Sequence, residues 1–91
     1  MHVDVTIHPK AFKHAYSEEQ IRDAWISGEH NRCELEDADI PRELRIGVTA
    51  EGIKLELIGL VFTMERVMIH HCDSASKEAR RQIEKSRRRA R

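Results

Sequence analysis

The stretch LRIGVTAEGIKLELIGLVFTMERVMIH, residues 44–70, decides the fold. Leu44, Ile46 and Val48 alternate with other residues, Glu51-Gly52 offers a tight turn, and Ile53, Leu55 and Leu57 alternate again. Period-two alternation broken by a turn dipeptide is the signature of a β-hairpin. From Leu57 to Phe62 nearly every residue is apolar, as in a central strand covered on both faces. Thr63–Glu65 turn the chain, and Val67–His70 supply a third strand. The stretch therefore predicts a three-stranded antiparallel meander with Leu57 on its helix-covered face.

Working outward, Val3, Val5 and Ile7 form a short alternating strand, which would bring the sheet to four strands. Pro9 can open a short helix through Ala11, Phe12 and Ala15. Ser17 and Gln20 have the spacing of a capping box, Glu18 and Glu19 suit the positive end of a helix, and Gly28 is a natural stop. Ile21, Ala24 and Trp25 give that helix one apolar stripe, read as core. Residues 29–41 are rich in acids and read as a surface loop. Beyond the meander, Asp73 or Ser74 would cap a last helix with a thin stripe of Ala75, Ala79 and Ile83, frayed from Ser86 onward. The expected class is α+β in one domain, residues 1–91, with two N-terminal helices and one C-terminal helix.

A 91-residue chain holds one core. Its 40% hydrophobic and 35% charged residues describe a globular protein, and its formal charge is zero. The charge is nevertheless polarised. Acids dominate Glu29–Glu43, whereas Lys77, Arg80, Arg81, Lys85, Arg87, Arg88, Arg89 and Arg91 make the C-terminal end basic. Neither a secretory leader nor a membrane-length apolar run is visible, and two cysteines make no disulfide framework, so a reduced cytoplasmic location is expected.

Two-residue turn geometry at Glu51-Gly52 sets Thr49 opposite Lys54 and Gly47 opposite Glu56. Arg45, Thr49, Lys54 and Glu56 then share one face. A three-residue second turn adds Arg66 and His70, whereas a two-residue turn at Met64-Glu65 sends His70 to the core. In the first register an acid, an imidazole and guanidinium groups stand together. That set suits RNA cleavage by its own 2′-hydroxyl, which needs a base, an acid and fixed cations around the phosphorane. Glu56 and His70 are the candidate base and acid, in either assignment, and Arg45 or Arg66 the clamp. The alternative is a face of exposed cross-strand ion pairs of small energetic value. Lys10, Lys13 and His14 offer further phosphate contacts or a solvated surface. The mixture of His30, Cys33, His70, His71, Cys72 and Asp73 lacks convergent zinc spacing, and no Gly-rich phosphate loop or Ser/His/Asp signature is present. No metal or cofactor is expected.

The segments Lys13–Ile21, Arg45-Ile46-Gly47, Gly52–Glu56 and Val67–His70, in that order, resemble small toxins of bacterial toxin–antitoxin pairs. More narrowly, they resemble the BrnT-like branch of the RelE/ParE superfamily, over about Pro9 to Arg81. The resemblance implies a RelE-like fold and a metal-independent endoribonuclease that blocks translation by cutting RNA. It also implies a cognate antitoxin as partner, and leaves the ribosome open as another. His14, Arg45, Glu56 and His70 match the family's motif positions as catalytic residues, with Lys10, Lys13, Lys54 and Arg66 as RNA contacts. Ala15 stands where the family usually has Gly, and His71-Cys72-Asp73 replaces a segment that often carries a clamp arginine. A non-catalytic protein- or nucleic-acid-binding module is the alternative function.

Overall fold

A computed structural model describes residues 3–35 and 39–89. Its sheet is larger than the alternation predicts. β1 (Asp4–Ile7), β2 (Arg32–Leu35), β3 (Arg42–Val48), β4 (Lys54–Thr63) and β5 (Arg66–Ser74) form one five-stranded sheet in the order β1-β5-β4-β3-β2. The antiparallel meander β3-β4-β5 is its centre. β1 runs parallel to β5, so the sheet is mixed, which corrects the expected RelE-like arrangement of three or four antiparallel strands.

The helices also depart from expectation. Pro9–Phe12 is only a single 3-10 turn, so one N-terminal α-helix remains, α1 (Glu18–Ser27), with α2 (Lys77–Arg89) at the C-terminal end. α1 begins at the capping box, where the Ser17 N–H donates to Gln20 Oε1 at 2.9 Å and the Gln20 N–H donates to Ser17 Oγ at 3.1 Å. Ser76, rather than Asp73 or Ser74, receives the first turn of α2, its Oγ accepting from the Ala79 N–H at 3.1 Å. β5 reaches Ser74 and uses up both expected caps. Residues 32–35 of the acidic segment are strand β2, paired with β3, instead of loop. Four residues with only Cys33 and Leu35 directed inward leave too short an alternation to stand out among acids. Residues 36–38 of that segment lie outside the described residues, as do Ala90 and Arg91. α2 continues past Ser86 to Arg89, and Arg87 donates to the His30 carbonyl and to Asn31 Oδ1, both at 3.0 Å.

α1 and α2 cover opposite faces of the sheet. Ile21, Ala24 and Trp25 of α1 pack with Leu55, Leu57, Val67, Ile69 and Cys72. Ala79 and Ile83 of α2 pack with Cys33, Leu44 and Ile46, and Ile58 lies against them. α1 approaches so closely that a Cβ on Gly47 would lie 1.7 Å from the Ala24 carbonyl oxygen, so only glycine fits there. Leu57 is fully buried under α1, as the alternation predicts.

The register differs in two places that control the site. The first hairpin loop is Thr49–Ile53, closed by the Thr49 N–H to the Ile53 carbonyl at 2.9 Å, with Gly52 at φ +88°. Val48 therefore opposes Lys54, and Ile46 opposes Glu56, one step from the expected pairing. In β5 the pairing slips twice, near Phe62 and at His70, where Gly59 opposes Ile69 but Ile58 opposes His71. His70 is the extra residue of a β-bulge, which reverses side-chain parity along the rest of the strand.

Candidate functional site

That bulge builds the site. Ile69 and Cys72 both enter the core under α1, although they are three residues apart. The two residues between them absorb the irregularity, and His71 stands on the face opposite α1 with Glu56 and Asp73. There His71 Nε2 and Glu56 Oε2 are 2.9 Å apart. The second Glu56 oxygen, Oε1, accepts from the Ser76 N–H at 2.8 Å, so the entry to α2 anchors the carboxylate. Burial pushes the Glu56 carboxyl up, but the bonds from Ser76 and His71 together outweigh it and hold the group below its ordinary value. Glu56 is thus a fixed, ionised hydrogen-bond acceptor.

His14 approaches from the segment after the 3-10 turn. Its ring lies edge-on to His71, with centroids 6.4 Å apart, and its Nε2 is 3.5 Å from Asp73 Oδ2. Asp73 Oδ1 in turn accepts from the Ser74 N–H at 2.7 Å. The chain reverses at Ala15, whose φ of +66° is left-handed and costs a non-glycine residue about 1 kcal/mol. Immediately beyond it, the Tyr16 hydroxyl meets Ser74 Oγ at 3.0 Å. Two imidazoles, each beside a carboxylate, therefore face one another across a short gap at the sheet's edge.

Of the residues singled out from sequence, Glu56 and His14 belong to this cluster and Lys13 adjoins it in the chain. Lys54 has the strand parity of Glu56 but is exposed at the start of β4. Arg66 lies at the far end of β5, five residues from His71 and so roughly 16 Å away. Arg45 does not share the Glu56 face. The one-step change in the hairpin register turns it under α1, where it donates to Glu43 Oε2 at 2.6 Å and to the Trp25 carbonyl at 2.7 Å. Its guanidinium carbon sits 3.9 Å from the centre of the Trp25 ring. Arg45 is engaged in holding α1 to β3.

His70 sits beside the cluster, half-buried, with its Nε2 buried and without a hydrogen-bond partner. Burial, followed by the positive charge of His71, Lys10, Arg42 and His8, holds its imidazole below the ordinary histidine value. The residue bonded to Glu56 is His71, which sequence reasoning missed. A signal was present: apolar Ile69 and Cys72 cannot both face one core in unbroken period two. Among the described residues no group of three or more His, Cys, Asp or Glu side chains is arranged to hold a metal ion, and no helix is long and apolar enough to cross a membrane. No family model, curated protein or solved structure matches the chain.

Proposed function

We propose that the protein is an endoribonuclease that cleaves RNA by transfer of the phosphate to the neighbouring 2′-hydroxyl, with His14 and His71 as its acid–base pair. The observation that carries this reading is the pairing of two opposed imidazoles, 6.4 Å between centroids, each against a carboxylate. One imidazole in its neutral form takes the proton from the 2′-hydroxyl as the 2′-oxygen bonds to phosphorus. The other, protonated, gives its proton to the 5′-oxygen as the phosphorus–5′-oxygen bond breaks. The products are a 2′,3′-cyclic phosphate and a free 5′-hydroxyl, and no water is consumed. Glu56 and Asp73 are positioning residues that orient the rings and stabilise their charged forms, as carboxylates do for catalytic histidines.

The sequence resemblance supports the same chemistry and adds its setting: a toxin that blocks translation, held inactive by a cognate antitoxin protein. Glu56 and His14 keep the places the resemblance assigns them, His71 takes the role read for His70, and Arg45 takes no part. The test uses purified protein and a single-stranded RNA. Wild type is expected to leave 2′,3′-cyclic phosphate ends, and His71→Asn to cut about 10²–10⁴ times more slowly. Glu56→Gln, which keeps the shape but loses the charge, is expected to fall between them. A folded His71→Asn protein cutting at the wild-type rate would refute the assignment. RNA binding without cleavage by wild type would leave the binding-module alternative.

A further inference from the structure

The two edges of the sheet end differently. At the β1 edge, the Asp4 N–H donates to the Glu65 carbonyl and the His8 N–H to the Ile69 carbonyl, which turns the Val5 and Ile7 backbone outward. Arg22 Nη1 then donates to the Val5 carbonyl at 2.7 Å, so a side chain of α1 closes part of that edge. At the β2 edge, the Ile46 N–H donates to the Asn31 carbonyl at 3.0 Å. Alternation from that pair sends the Arg32 and Glu34 backbone groups away from β3. Both residues are exposed, and among the described residues no hydrogen bond reaches their outward N–H and carbonyl groups.

The side chains along this edge are also out of balance. Glu34 stands directly opposite Glu43, in a pair that exchanges no backbone hydrogen bonds and so holds its side chains close. Like charges directly opposite one another are destabilising. Glu43 has two cations, Arg32 at 3.2 Å and Arg45 at 2.6 Å, whereas Glu34 has none among the described residues. Glu34 therefore meets a like charge on its inner side and open solvent on its outer side.

An antiparallel copy of the same strand supplies what is missing. With Cys33 opposite the partner's Cys33, Arg32 of each chain falls opposite Glu34 of the other. These are the residues with outward backbone groups, so each of the two opposed pairs exchanges hydrogen bonds in both directions. Their side chains share the face that carries Glu43 and Arg45, where an arginine beside a glutamate is favourable. Charged side chains usually discourage pairing at a sheet edge. Arg32-Cys33-Glu34, however, is complementary to itself when reversed, so its charges select a second copy.

We propose that the β2 edge is a homodimer interface, in which Arg32–Leu35 of two copies pair antiparallel about a two-fold axis at Cys33 and join their sheets into one. The contact is isologous, with the same patch used by both chains. It is short, so the dimer is weak and exchanges with monomer. β2 is separated from β5 by β3 and β4, so His14 and His71 of both copies stay open, and the interface stands whether or not the protein cuts RNA.

Sedimentation equilibrium from micromolar to millimolar concentration tests it. Wild type is expected to move from the monomer mass towards twice that value. Glu34→Arg sets arginine opposite arginine and Arg32→Glu sets glutamate opposite glutamate, so each variant alone should associate about tenfold more weakly. Mixed in equal amounts, the two variants present opposite charges at both positions and should recover wild-type association as a heterodimer. A chain carrying both substitutions should dimerise like wild type. A wild type that stays monomeric at millimolar concentration, or a mixture that associates no better than its components, would overturn the interface.

Amide hydrogen exchange in wild type gives a second measurement that needs no variant to fold. Raising the concentration should slow exchange at Arg32 and Glu34, whose N–H groups enter the interface, and leave Cys33, whose N–H already faces β3, unchanged. A dimer that forms without added protection at Arg32 and Glu34 would use another surface, and so also overturn the proposal.

Discussion

The two faces of the sheet are made from alternate residues of the same strands, yet they differ in what they bury. Under α1, Leu55, Leu57, Ile69 and Cys72 are essentially fully buried, and the Arg45–Glu43 ion pair there is locked beneath Trp25. The opposite face has only the thin stripe of α2, which covers Leu44 and Ile46 and leaves the end of β4–β5 to Glu56, His71 and Asp73. A residue at the same depth along a strand is structural on one side and available for chemistry on the other. The hairpin register assigns Arg45 and Glu56 to their sides, and the bulge at His70 does the same for His71.

Neighbouring residues of β4 provide the sharpest way to break this comparison. Leu57→Ala should lower unfolding stability by about 2–5 kcal/mol, measured by urea denaturation, while the protein that remains folded cuts RNA at the normal rate. Glu56→Gln, one position away, should cost much less stability than Leu57→Ala while slowing cleavage strongly. If both substitutions damage stability and activity equally, the division between the faces fails.

Next in size is Arg45→Gln. Removing the guanidinium leaves the mostly buried Glu43 with the exposed Arg32 as its remaining ion-pair partner and frees the Trp25 carbonyl, at a cost of about 3 kcal/mol, with no change in the cleavage rate of folded protein. A large fall in rate at full folding would return Arg45 to the site, against its position under α1.

The pH dependence of stability should report on two titrating groups at the site. His70 and Glu56 both have folded values below their unfolded ones, so each contributes stability above its unfolded value and loses it as pH falls through the folded value. Stability should therefore decline first below the ordinary histidine range, near pH ~6.5, and again below the ordinary carboxylate range, near pH ~4.3. His70→Asn should flatten the first decline and Glu56→Gln the second, in urea titrations across pH. A decline untouched by either substitution would contradict the assignment.

The smallest effect concerns the reversal that brings His14 to the site. Ala15→Gly should relieve the left-handed strain and raise stability by under about 1 kcal/mol, the gain being partly offset by the freer unfolded chain. Destabilisation instead would show that Ala15 is not strained.

Much of this arrangement is legible in the residues, for reasons that are local. Ser17 and Gln20 announce the start of α1, Gly28 its end, and the alternation through Leu55 and Leu57 the central strand. The pieces that escaped depend on backbone events without a composition of their own. A five-residue loop at Thr49–Ile53 and a two-residue one at Glu51-Gly52 use the same letters, and the choice between them moves Arg45 to the other face. β2 is too short to show a period, and β1 pairs with β5 across the whole chain, in parallel, which alternation cannot specify. His14 was singled out as catalytic through the family resemblance, and Glu56 through strand parity and that resemblance together. His71 was hidden by a one-residue bulge.

The pH–rate profile of RNA cleavage, recorded for wild type and for the His14→Asn and His71→Asn variants, tests the central claim most directly. Two histidines acting as base and acid predict a bell-shaped profile for wild type, from which each variant loses one limb along with most of its rate. A wild-type profile without either limb, or variants that retain both limbs at undiminished rate, would contradict the acid–base pair of His14 and His71.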